Sequence, residues 1–163
     1  MTCIERHEGI AHTAPRMDVA RSALLEFPAE TMFDIVERAE HYPEFLPWCA
    51  AARILERTED MVAAEIEVDY HGVRFSFVTR NPKRRPDWLA VRLEKGPFRR
   101  FEGEWYLTAL SPDACKIAFA MHYEMAGPLA RVAAPVFDRI ANTFVDAFVA
   151  RADSMRAAQG DLS

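Results

Sequence analysis

Cysteine is scarce and scattered. Cys3, Cys49 and Cys115 are odd in number, far apart and without nearby partners in a ligand-like pattern, which excludes a disulfide framework and a structural zinc site and fits a reducing compartment. No apolar run approaches the roughly 18 residues of a spanning helix, and the opening MTCIERHEGIAHTAPR lacks a continuous apolar leader, so the protein is expected in the cytoplasm. HExxH, GxSxG, GxGxxG and P-loop patterns are missing, and His7 and His12 are poor metal ligands. The expectation is therefore a non-enzyme without metal or catalytic cofactor. There is no zinc finger, helix-turn-helix or RNA-recognition pattern either, and DNA is not an expected partner.

What is present describes a globular domain. Half of the 163 residues are hydrophobic and 28% are charged, near the average for a folded soluble protein and enough for one real core. The formal charge of −5 hides an asymmetry. Between Arg80 and Arg100 lie Arg80, Lys83, Arg84, Arg85, Arg92, Lys95, Arg99 and Arg100 against only Asp87 and Glu94. Such a run is either a pair of solvated loops or a positive rim that approaches phosphate, on lipid headgroups or on RNA.

Periodicity divides the chain into three parts. Residues 17–27 have strand character; then Met32, Phe33, Ile35 and Val36 form a helical stripe that should end near Ala39, because Pro43 pushes Tyr42 towards extended geometry. A short second helix is expected around Glu44 to Leu46, closed by Pro47. Alternating runs follow over 51–57, 62–70, 73–80, 88–94, 101–110 and 115–123, separated by turns at Thr58-Glu59-Asp60, His71-Gly72, NPKRRPD, KGPFRR and Ser111-Pro112-Asp113. From Pro128 the period lengthens: Leu129, Val132, Val136, Ile140, Phe144, Ala147 or Phe148, and Met155 predict a long amphipathic helix, with Pro135 interrupting it early. The fold class is α+β: a curved seven-stranded antiparallel sheet around a long C-terminal helix, with two short helices after the first strand. The expected organisation is a flexible segment over 1–16, one domain over 17–157 and a flexible tail over 158–163.

The blocks FPAETMFDIVERAEHYPEFLPWC, ARILE, FVTRNP, GPFRRFEGEWYLTAL, ACKIAF, HYEM and FVDAFVARAD, in that order, carry a resemblance. They resemble the coenzyme Q-binding family of START-like proteins, whose bacterial members include the RatA-type ribosome-association toxins and proteins described as oligoketide cyclase or lipid-transport proteins. The resemblance runs from about Met17 to Met155. It implies a helix-grip fold whose cavity, between sheet and helix, takes a lipophilic ligand. For some members that ligand is ubiquinone, bound and delivered without chemistry in support of respiratory electron transport. For RatA-type members the implied role is binding the large ribosomal subunit and blocking subunit association.

On that resemblance Tyr42, Phe45, Leu46 and Trp48 cap the core at a corner fixed by Pro43 and Pro47, form the mouth of the cavity, or contact a macromolecule directly. Phe75, Phe77, Trp105, Leu107, Ile117, Phe119, Met121 and Tyr123 share the strand period that faces a core, and some should line the pocket; Val136, Ile140, Phe144 and Phe148 would be the opposite wall. Tyr70, Tyr106, Tyr123 and His122 are candidate donors to a quinone carbonyl, and alternation allows only one of His122 and Tyr123 to point inward. Arg80, Lys83, Arg84, Arg85, Arg99 and Arg100 are the candidates for contact with RNA or with an anionic membrane, peripherally at the inner face of the cytoplasmic membrane. The expected bound molecule is ubiquinone or another isoprenoid lipid.

Overall fold

The computed structural model describes residues 17–160. Strand β1 (Met17–Leu25) is followed by α1 (Ala29–Glu37), a 3-10 helix (Ala39–Glu44) and six strands: β2 (Cys49–Arg57), β3 (Met61–Tyr70), β4 (Val73–Arg84), β5 (Trp88–Lys95), β6 (Phe98–Ser111) and β7 (Ala114–Met125). Helix α2 (Ala130–Gly160) is the last described element. The seven strands form one sheet in the order β1-β7-β6-β5-β4-β3-β2, with every neighbour antiparallel. Strands β2 to β7 are a plain meander. The α1 and 3-10 segment carries the chain from one edge of the sheet to the other, so β1 pairs with the last strand, from Met17↔Tyr123 to Leu25↔Cys115.

The sheet bends because its ladders are repeatedly interrupted. Register shifts occur in β2, between Val78 and Thr79 of β4, and near both ends of β6, and an extra residue on one strand bends it and increases its twist. The concave face collects alternate residues of the strands and closes on α2. Two aromatic clusters hold the helix there. Phe137 meets Phe75, Phe98, Phe101 and Tyr123 at one end, and Phe144 and Phe148 meet Trp48, Trp105 and Phe119, or Tyr42, Phe45 and Trp105, at the other. Seven to eleven residues separate these helical anchors in the sequence, or about 10–16 Å along the axis at 1.5 Å per residue.

The expected architecture is present, with local shifts. The second short helix is the 3-10 turn over Ala39–Glu44 and ends where it was expected to begin. The long helix is continuous through Pro135, which is exposed in its second turn, where the single lost backbone bond lies close to the helix end. Its buried face is Ala133, Phe137, Ile140, Ala141, Val145, Phe148 and Ala152, while Val132 and Met155 are exposed. The expected stripe thus has the right period and a displaced phase, because the face that meets the sheet uses small alanines for close approach. Helix α2 also runs past the expected domain limit at 157. The N-terminal segment 1–16, with Cys3, His7 and His12, and residues 161–163 lie outside the described residues.

Candidate functional site

Between the two aromatic clusters the interior is incompletely filled. A cavity of about 70 Å³ is bounded by Val36 and Glu37 of α1, by Ala39 and Tyr42 of the 3-10 helix, by Trp48, and by Phe144 of α2. The sheet contributes Val62, Ala64 and Ile66 from β3, Phe77, Thr79 and Asn81 from β4, Leu89 and Val91 from β5, Phe101 and Trp105 from β6, and Phe119 and Met121 from β7. Most of this lining is aliphatic or aromatic, and its polar members, Glu37, Thr79 and Asn81, come from α1 and β4. A depression of about 480 Å³ on the surface is larger, but it is edged by Arg53, Glu65, Glu67 and Arg74, with Arg53 and Glu65 paired at 2.8 Å. An oily ligand is matched by the small interior space and not by that charged one.

Strand β4 explains the polar pole. Its inward positions begin Val73, Phe75, Phe77 and continue Thr79, Asn81, Lys83, a change from apolar to polar along one face. The ladder to β5 pairs Thr79 with Leu93 and Lys83 with Leu89 and is open between them. Pro82 lies in that gap; the Lys83 N–H bonds the Asp60 carbonyl towards β3, so the missing N–H of Pro82 falls on the open β5 side. The Asn81 side chain fills in for the ladder, its Oδ1 accepting the Arg92 N–H at 3.1 Å.

A compact ion cluster closes the same end. Glu37 Oε1 accepts from Arg57 Nε and from Lys83 Nζ, both at 2.8 Å, and the Arg57 fork also donates to both oxygens of Glu40 at 2.8 Å. Arg57 holds the Glu40 carboxyl below its ordinary range, chiefly through these hydrogen bonds. Nearby, the Tyr42 hydroxyl donates to the Val36 carbonyl, and burial raises its phenol well above the ordinary value. The corner is fastened to α2 by Arg151, which donates to Glu44 at 2.8 Å and lies over the Phe45 ring. Burial pushes the Cys49 thiol up to about 11 and raises that of Cys115, so both buried cysteines are poor nucleophiles.

The sequence-predicted residues divide accordingly. Tyr42, Trp48, Phe77, Trp105, Phe119, Met121 and Phe144 line the cavity. Phe75, Leu107, Ile117, Tyr123, Ile140 and Phe148 are buried in the surrounding core; Leu46, at 1% exposure, is buried with them; Phe45 packs on Phe148; and Val136 is half-buried away from the lining. None of the four expected donors reaches the cavity. Tyr123 is turned inward and donates to Asp138, His122 is turned outward and meets Asp18 at 2.5 Å, Tyr106 is on the outer face, and Tyr70 meets the His71 ring edge-on. Glu37, Thr79 and Asn81 were missed. The signal for Thr79 and Asn81 was in the sequence, as polar residues two and four positions beyond Phe77 on an inward-facing alternation.

The basic run is not one rim. The β4–β5 and β5–β6 turns are successive hairpins and lie at opposite ends of the sheet, separating Arg84 and Arg85 from Arg99 and Arg100. Lys83 is turned inward to Glu37, with a side chain only 9% exposed. Arg80 pairs with Glu56 and Glu94, Arg84 with Asp87, Arg85 with Asp34, Arg99 with Glu124 and Arg100 with Glu102, all within 4.0 Å. Six of the eight cations of the run are thus held by carboxylates, from α1, the β4–β5 turn and strands of the sheet. Among the described residues there is no group of three potential metal ligands and no helix long and apolar enough to cross a membrane.

A bent antiparallel sheet that grips one long helix around an apolar cavity defines a START-like helix-grip protein. The chain belongs to the family described as polyketide cyclase/dehydrase and lipid transport, whose family model matches residues 25–149. It is 41% identical over 138 residues to the ribosome association toxin RatA of Pseudomonas aeruginosa, covering 84% of this chain and 96% of that one. It is 29% identical to the mitochondrial coenzyme Q-binding protein COQ10 homolog B of Xenopus laevis, covering 82% of this chain and 57% of that protein. Among solved structures, the fold matches the Zhui aromatase/cyclase of a Streptomyces species with a TM-score of 0.72 at 16% identity, over 85% of this chain and 94% of that one. It also matches a START superfamily protein of Mycobacterium smegmatis with a TM-score of 0.68 at 19% identity, over 85% and 98%.

Proposed function

We propose that the protein is a non-catalytic binder of a neutral lipophilic molecule, an isoprenoid quinone such as ubiquinone, held between the sheet and α2 and handed on to respiratory enzymes. The observation that carries this reading is the apolar cavity with a polar group at one pole, in a family that includes lipid transport and has a coenzyme Q-binding relative. A void of about 70 Å³ is several-fold smaller than the roughly 300 Å³ and above of small-molecule sites, so uptake requires the corner over Tyr42 and Phe45 to move away from α2. The isoprenoid tail would then follow the aromatic surfaces of Trp48, Trp105 and Phe144, at about 25 cal/mol for each Å² of apolar area removed from water. Organic extraction of the purified protein followed by mass spectrometry, together with titration of decylubiquinone, tests it. Co-purifying quinone and saturable binding are expected; absence of both ends this reading.

A second reading rests on the RatA relative. In it the protein associates with the large ribosomal subunit and hinders subunit joining, through surfaces whose ion pairs exchange carboxylate for phosphate; exposed pairs cost little to exchange. Sucrose-gradient profiles with added protein separate the two. A quinone carrier leaves subunit joining unchanged, whereas a ribosome-directed protein lowers the 70S peak and co-sediments with the large subunit in a salt-sensitive way.

A further inference from the structure

We infer that Thr79 and Asn81 are the recognition pair of the cavity, and that they select a neutral carbonyl-bearing lipid over a fatty acid. This rests on the ligand-binding reading above and adds to it the groups that read the head of the ligand.

The two side chains stand two residues apart on the inward face of β4, about 7 Å from Cα to Cα, and both border the cavity. Thr79 is 4% exposed and its side chain borders the cavity. Asn81 is half-buried at the cavity border, and its Oδ1 is committed to the Arg92 N–H at 3.1 Å, so the Nδ2 donors are what its amide has to offer a ligand. Both residues thus bring a donor group to the border of a space whose other walls, Glu37 apart, are mostly apolar. A carbonyl oxygen carried in by a ligand would accept from these donors in surroundings where few other partners are offered.

The charges behind the pair set the second half of the preference. Glu37 and Glu40 are balanced by Arg57 and Lys83, which are already engaged by those carboxylates at 2.8 Å. The pole therefore offers hydrogen-bond donors without a spare cation. A carboxylate entering it would lose its hydration with no counter-charge, whereas a ketone or quinone oxygen would need only the donors.

The test compares three probes by calorimetric titration of the intact protein: decylubiquinone, decylbenzene, which keeps a ring and chain but has no carbonyl, and oleate. Thr79→Val removes the hydroxyl at nearly constant shape. Asn81→Asp keeps the acceptor for the Arg92 N–H and abolishes the donors. Each is expected to weaken decylubiquinone about three- to tenfold and to leave decylbenzene unchanged, while Thr79→Ser retains wild-type affinity. Wild type should bind oleate more weakly than decylubiquinone. Unchanged quinone affinity in both variants, an equal loss for decylbenzene, or tighter binding of oleate overturns the assignment while leaving lipid binding intact. Failure of the wild type to bind decylubiquinone at all overturns the underlying reading instead.

Discussion

Filling the cavity should stabilise the protein and disable it at once. Ala64 is 2% exposed, lies on β3 between Ile54 and Thr79 in register, and borders the void. Ala64→Val adds two methyl groups, together about 60 Å³ if each occupies roughly the share of one liquid water. That nearly matches the cavity of about 70 Å³. Two buried carbons at about 0.8 kcal/mol each contribute about 1.6 kcal/mol, and eliminating the void at about 24 cal/mol per Å³ gives about 1.7 kcal/mol by an independent route. Valine also suits a strand better than alanine. For a domain of this size the gain corresponds to a rise of about 3–6 °C in Tm. Thermal melting monitored by circular dichroism, with decylubiquinone titration in parallel, is the assay. A Tm that falls would show that the space is not free to be filled. A Tm that rises with quinone affinity intact would show that the ligand lies elsewhere, and the argument from the cavity would be refuted.

Other predictions follow from the packing and the ion cluster. Phe148→Ala removes a fully buried ring that meets Tyr42, Phe45, Trp105 and Phe144 and should cost about 3–5 kcal/mol in urea unfolding; a loss under about 1 kcal/mol would mean that α2 is not anchored there. Gly96→Ala should cost about 1–3 kcal/mol in the same assay, because φ is +156° and the new Cβ would sit 2.6 Å from Phe77 Cβ. Arg57→Met tests the pH linkage. The Glu40 carboxyl is held below its ordinary value of 4.5 chiefly by the Arg57 hydrogen bond, so its stabilisation is complete above that value and disappears as pH falls through the lower folded-state value. The stability difference between wild type and Arg57→Met should therefore shrink as pH is lowered from about 5 to 3, and a constant difference would discount the pair.

The strands and the long helix were legible because their periods differ and each persists long enough to be read. Val62, Ala64, Ile66 and Val68 alternate over a whole strand, and the C-terminal segment keeps its helical spacing. The end of β4 was not legible, since NPKR carries a proline and two cations that normally mark a turn. The strand continues through it to Arg84 because Pro82 directs its missing N–H into a break in the ladder and Lys83 finds Glu37 inside. The phase of α2 was misjudged for a related reason. Hydrophobicity favours Val132 and Val136, but the close approach to the sheet belongs to Ala133 and Ala141. The candidate site was legible in its aromatic walls and missed in its polar pole, because a buried threonine or asparagine is recognised only once its strand is known to face inward.

The pairing of β1 with β7 also sets the order in which the chain can be completed. The partners are separated by roughly a hundred residues of intervening chain, so the first strand synthesised must wait for the last one before it has a neighbour. Until then the nascent meander ends on β6 as a raw border, with β1 unpaired beside it, open to the wrong strand from another molecule. Ribosome-bound chains stalled before residue 114 should therefore be the ones most dependent on chaperones, and extension past 125 should relieve them.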